Sequence, residues 1–141
     1  MTIPLGDVYY PAVAVAGLAT FLIGGLWYTA MFGKLWQRLH GYNEEKMKEM
    51  HARRPPPIFF GGMIGGYLII ALSVALLLRA FKVESAIDGA TVGLLLWVGP
   101  AAAIQLTGWL ASDKPIGVYL IDISYQLIYL VMMGAILGGW R

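Results

Sequence analysis

The chain has 141 residues, enough for one domain, of which 59% are apolar and only 13% charged. Soluble domains carry about a quarter charged residues, and a soluble fold this small has too little interior for so much apolar surface. It has no cysteine and a formal net charge of +2. Disulfides, thiolate nucleophiles and iron–sulfur ligation are thereby excluded, and no basic stripe marks a nucleic-acid partner.

The first apolar run begins without a basic leader, since Asp7 is the only charge before it. It is also too long for the core of a cleaved signal, so it is expected to stay as a helix. Four such runs follow one another, at about 9–32, 58–78, 86–111 and 116–140. Each reaches the roughly 20 residues that cross about 30 Å of hydrocarbon as a helix. Lipid offers the backbone no hydrogen-bond partner, and the short alternating segments of a β-barrel are missing. The expectation is an all-α, polytopic membrane protein: one domain over 1–141, with four transmembrane helices in an antiparallel bundle. The solvent for most side chains is then the lipid bilayer.

The links are unequal. Residues 33–57 form the one substantial polar loop, which holds Lys34, Arg38, Lys46, Lys48, Arg53 and Arg54; the last link adds Lys114. Arg79, Lys82 and Arg141 fall on the opposite side. The positive-inside rule then places the long loop in the cytoplasm and both termini outward. Tyr9, Tyr10, Phe81 and Trp140 mark the outer interface, and Trp27, Trp36, Phe59 and Trp109 the inner one. Within the loop, Asn43 is placed to cap a short helix carrying the pairs Glu44–Lys48 and Glu49–Arg53. Pro55, Pro56 and Pro57 are expected to end it and to leave an extended entry to the second span.

Helices in lipid associate through close packing and hydrogen bonds. Gly61 with Gly65, and Gly62 with Gly66, form overlapping GxxxG pairs. Gly24 and Gly25 lie at similar depth, which predicts a close crossing of the first two spans near the loop side. Gly89 and Gly93 in the third span match the depth of Gly134 and Gly138 in the fourth, which predicts a second crossing. The plainer use of these glycines is packing within the chain; the sharper one is self-association. Pro100 in the third span removes a backbone hydrogen bond. It is a hinge candidate, though membrane helices also tolerate such a kink.

Asp122 lies roughly 9 Å into the fourth span, where a charge must face protein, water or a proton. Gln126 is one helical turn on, Gln105 lies at comparable depth in the third span, and Tyr28 ends nearby in the first. Asp122, Gln126, Gln105 and Tyr28 therefore form the candidate intramembrane polar cluster; its plainer reading is structural glue. His40 and His51 lack metal-ligand spacing. No phosphate loop or catalytic constellation appears, so no cofactor, metal or catalytic residue is assigned.

The run Gly25-Leu-Trp-Tyr-Thr-Ala-Met-Phe-Gly-Lys-Leu-Trp36, followed by Gly41, resembles the opening of the bacterial membrane family called domain of unknown function 1761. Trp97-Val-Gly, the run from Tyr119 to Ile128, and the end from Met133 to Trp140 are similar to it too. The resemblance implies four membrane helices and no established activity. It also implies asparagine in many relatives at the position of Asp122, so that hydrogen bonding would suffice there. The leading expectation is a non-catalytic protein acting through helix packing, as a homo-oligomer or as accessory subunit of a membrane complex. The alternatives are a small channel or transporter for protons or a small solute using Asp122, and a lipid- or quinone-modifying enzyme.

Overall fold

The computed structural model describes residues 1–140; Arg141, counted above on the side opposite the long loop, lies outside the described residues. These residues form six helices and no strand. Four are long and apolar enough to cross a membrane: α1 (Tyr10–Met31), α4 (Pro56–Ala80), α5 (Ala86–Leu110) and α6 (Ile116–Gly139). Such a set marks a multi-pass membrane protein. Two short helices fill the long loop: α2 (Gly33–His40) and α3 (Glu44–Arg53).

The helix ends have local causes. The Asn43 side chain accepts the Lys46 amide at 2.8 Å and opens α3. Ser85 does the same for α5, accepting the Asp88 amide at 3.0 Å. The proline run departs from the extended entry expected above. α4 already begins at Pro56, with proline in its first turn. The missing N–H is harmless there, because a first-turn amide has no helical acceptor, and the fixed φ suits the helix. The loop holds a helix that the polar composition hides: α2 follows α1 after a break at Phe32, whose φ is −122°.

Two spans contain π-turns. Trp27–Met31 closes α1, and Trp97–Ala101 interrupts α5 around Pro100. A wider turn accommodates a proline that can neither donate to the ladder nor clear the carbonyl four residues back. Val98, Gly99 and Pro100 all face outward, so the hinge candidate lies on the exposed side of its helix.

α6 is the centre of the bundle and packs against α1, α2, α4 and α5. Its contact with α5 is backbone on backbone. A Cβ on Gly89 would fall onto the Gly134 carbonyl oxygen and lie 3.1 Å from Gly138 Cα. One on Gly93 would fall onto the Leu130 carbonyl oxygen, 3.0 Å from Val131 Cα. The structure thus brings Gly89, Gly93, Gly134 and Gly138 into one seam, as small residues in lipid allow.

The crossing of α1 with α4 lies elsewhere than the glycines suggest. It runs through Ala12, Ala16 and Ala71, each 0% exposed, with Gly17 set against Leu68. Gly24 faces Tyr125 of α6 instead, and a Cβ on Gly25, Gly61, Gly62, Gly65 or Gly66 would meet nothing within 4 Å. The close crossing of the first two spans near the loop is therefore not made. The physical reason is Tyr125, whose ring and hydroxyl occupy the space beside Gly24 and draw α1 toward α6. The first turns of α4 lie at the edge of the bundle: residues 56–62 are exposed, and Phe60 meets the Phe21 ring of α1 edge-on at 5.9 Å.

Replacing Gly93 by valine should force α5 from α6, because the obstacle is backbone and cannot turn aside. The expected loss is about 2 kcal/mol or more, against a near-neutral Gly108→Ala control, where a Cβ meets nothing within 4 Å. Reversible unfolding in detergent micelles measures both; equal losses would contradict the seam.

Candidate functional site

The site begins with the donors that a membrane helix must place. Indole N–H and phenol O–H groups need an acceptor once buried. In this chain they converge on the loop-side half of α6. Trp27 opens the π-turn of α1 and donates through Nε1 to the Ile121 carbonyl at 3.2 Å. Trp97 opens the π-turn of α5 and donates to the Ile123 carbonyl at 2.7 Å. Between these carbonyls stands Asp122. Its Oδ1 accepts from the Tyr28 hydroxyl at 2.6 Å and from Trp36 Nε1 at 3.2 Å. α1 supplies the tyrosine and α2 the tryptophan.

The sequence-predicted cluster is assembled as two pairs. Tyr28 and Asp122 are bonded directly. Gln126 Nε2 donates to Gln105 Oε1 at 3.3 Å, joining α6 to α5. No hydrogen bond links the two pairs among the described residues. Asp122 and Gln126 are about 40° apart around α6, enough for each to serve a different neighbour. Gln126 Oε1 is buried with no partner among the described residues. Two further phenols tie α6 down. Tyr125 donates to the Thr20 carbonyl at 2.7 Å and Tyr119 to the Ala102 carbonyl at 3.2 Å.

Sequence reasoning places Trp27 and Trp36 at the membrane interface and assigns neither a bond. Trp36, Trp27, Trp97 and Tyr125 are the site residues it misses. The available signal is that Trp27 and Trp97 sit well inside apolar runs, where an unpaired indole N–H is costly.

The rings form a continuous path. Tyr125 stands 5.0 Å from Tyr129 and 5.4 Å from Tyr28; Tyr28 stands 5.8 Å from Trp36. Trp36 lies 4.1 Å from His40, which stacks on Tyr42 at 4.8 Å and 20°. The path joins the middle of the bundle to the end of α2. Beyond it, the Lys114 ammonium donates to the His40 carbonyl at 3.1 Å and lies 5.5 Å from the Tyr42 ring. Burial first, and then Lys114, hold the His40 imidazole below its usual range.

Chemically this is a carboxylate fixed by neutral donors. No lysine or arginine pairs with Asp122 among the described residues. Such a group orders its neighbours, and its second oxygen remains available as an acceptor. The Tyr28 bond should behave as an ordinary interhelical bond in lipid. A double-mutant cycle of Tyr28→Phe with Asp122→Ala, followed by unfolding in micelles, should return a coupling of about 0.6–1.7 kcal/mol. A coupling indistinguishable from zero would remove Asp122 from the role of anchor.

No curated protein and no solved structure matches the chain. One protein-family model does, over residues 11–138, which takes in every residue of the Asp122 arrangement. The chain accordingly belongs to the family described as "Protein of unknown function (DUF1761)".

Proposed function

We propose that the protein acts without catalysis, as a self-associating unit of the bacterial inner membrane whose exposed α4 glycine face packs against a second copy. The observation that carries this reading is the open space over Gly61, Gly62, Gly65 and Gly66. Among the described residues nothing lies within 4 Å of a Cβ placed on either of these overlapping GxxxG pairs. Around them Ile58 is 67% exposed and Phe60 48%. In lipid, such a face gains van der Waals contact only from another helix that can approach as closely. An accessory role in a larger complex uses the same face. The basic loop then lies in the cytoplasm with both termini outward, as the charge asymmetry favours.

The test compares wild type with Gly62→Leu/Gly66→Leu in micelles and in lipid, by sedimentation and by crosslinking. The expected result is a wild-type dimer or higher oligomer, weakened about tenfold or more in the variant, a change of about 1.4 kcal/mol. A wild-type monomer that retains no membrane partner on pull-down sinks the proposal.

That Asp122 has no cationic partner among the described residues favours a second reading, a small channel or transporter for protons or a small solute. An unpaired acid in a span is the usual mark of an ion path. Four helices wound around a packed α6 enclose no path alone, so this reading also needs an oligomer. Reconstituted liposomes should show a proton or cation flux that Asp122→Ala abolishes. Equal flux in both, or flux in neither, excludes it.

A further inference from the structure

We infer that His40 is a positioning residue: while neutral, its ring holds Trp36 against Asp122 and so couples the intramembrane carboxylate to the pH on the loop side. The inference does not rest on the self-association reading.

His40 lies at the end of α2, outside the spans. Both of its ring nitrogens are buried, and neither has a hydrogen-bond partner among the described residues. A neutral imidazole leaves one N–H unpaired in such a place. An imidazolium leaves two, with a full charge, so the site selects against the proton.

The ring is clamped by local structure. Gly41 adopts φ +73°, the left-handed conformation that favours glycine at a helix end. Its amide bonds the Arg38 carbonyl at 3.0 Å, and the Tyr42 amide bonds the Gln37 carbonyl at 3.0 Å. This closure folds Tyr42 back onto His40, 4.8 Å away and nearly parallel. Trp36, one helical turn earlier, lies 4.1 Å from the same imidazole. The Lys114 ammonium is gripped by the His40 carbonyl at 3.1 Å.

The charges around the ring come from every packed element. From the α5–α6 link, Lys114 opposes protonation, and Asp113 lies 3.9 Å from that ammonium. From α6, Asp122 favours protonation. On α2 itself Lys34 and Arg38 are exposed cations. Glu44, Lys48 and His51 of α3 line the cleft that Gln37 and Tyr42 share.

Trp36 transmits the effect. Its ring rests on His40, while its N–H donates to Asp122 Oδ1 at 3.2 Å. Release of the imidazole removes the support of that ring, and Asp122 then keeps Tyr28 as its remaining donor. The direction follows from linkage. The released imidazole titrates near its usual value of about 6.5, and the clamped one lower. Acidification through that window favours release, and raising the pH restores the clamp.

The experiment uses the full chain in micelles with ¹⁵N-tryptophan and labelled histidine. The Trp36 indole N–H signal is assigned by its loss in Trp36→Phe. Between about pH 8 and about pH 5, it should move toward the position of a free indole, with a midpoint below that of a free imidazole. The His40 imidazole should titrate at the same midpoint. His51→Gln should leave this titration intact, and His40→Phe, which keeps a ring in the clamp, should abolish it. A Trp36 signal that does not titrate, or that titrates apart from His40, overturns the inference. So does a titration that persists in His40→Phe. The comparison of the two wild-type midpoints needs no variant of His40 to fold.

Discussion

A buried donor in hydrocarbon finds its acceptor within the protein or not at all. In this chain that constraint acts through α6. Trp27, Trp97, Tyr28 and Trp36 reach it from α1, α5 and α2, and Tyr125 and Tyr119 reach outward from it to α1 and α5. The helices are thus ordered by directional bonds where hydrophobic burial offers little discrimination between protein and lipid. Aromatic donors suit this work, because one side chain supplies both a large packing surface and a polar tip. The π-turns serve the same end. Each begins with a tryptophan bonded to a carbonyl next to Asp122, at Ile121 or at Ile123.

The two ends of α6 are held by different physics. Toward its C-terminus the contact is the glycine seam with α5, where backbones touch and side chains are excluded. Toward its N-terminus the contacts are side chains of α1, α2 and α5. The first kind of contact is rigid, since a carbonyl cannot rotate away. The second is adjustable, since a ring can turn on two torsions. Any change of conformation that leaves the bundle intact therefore belongs at the loop end, where His40, Trp36 and Asp122 meet. α4 meets α6 between these two ends, where the Tyr67 ring lies 6.2 Å from Tyr125 and 5.6 Å from Tyr129. Its second half is the buried part, at Ala71, Val74 and Ala75, while residues 56–62 are exposed and Phe60 meets the Phe21 ring of α1 at 5.9 Å.

The four spans were legible because each is a long apolar run, and the solvent decides such runs almost alone. The cap at Asn43 was legible for a similar reason, since it depends on a side chain three residues from its partner. What was not legible depends on rotation about helix axes. A GxxxG pair states that a backbone can be approached and leaves open what approaches it. Gly24 and Gly61 sit at similar depth, but a single tyrosine at 125 turns Gly24 toward α6 and leaves Gly61 bare. Depth alone groups Asp122, Gln126, Gln105 and Tyr28, whereas the angle between Asp122 and Gln126 divides them into pairs. α2 is amphipathic, with Leu35, Trp36 and Leu39 on its apolar side, but eight polar-rich residues bounded by glycines are too short to stand out from a loop. Trp36 was hidden with it.

The chemistry of position 122 separates into two parts. Both donors, Tyr28 and Trp36, converge on Oδ1. An asparagine offers the same single oxygen in the same place and could accept both bonds, so anchoring alone does not require an acid. What the aspartate adds is a second acceptor oxygen and a charge. Neither strengthens the anchor, and a charge in a span is expensive to keep. The cost is tolerable only where the charge can be neutralised by a proton or cation, or stabilised by donors held in place. Trp36 is such a donor, and its position depends on a ring that is neutral at the far end of the same stack. In this chain the bond from Trp36 to Asp122 and the packing of the His40 ring are therefore mechanically linked. An asparagine there would keep that mechanical link, because both bonds end on the one oxygen that it retains.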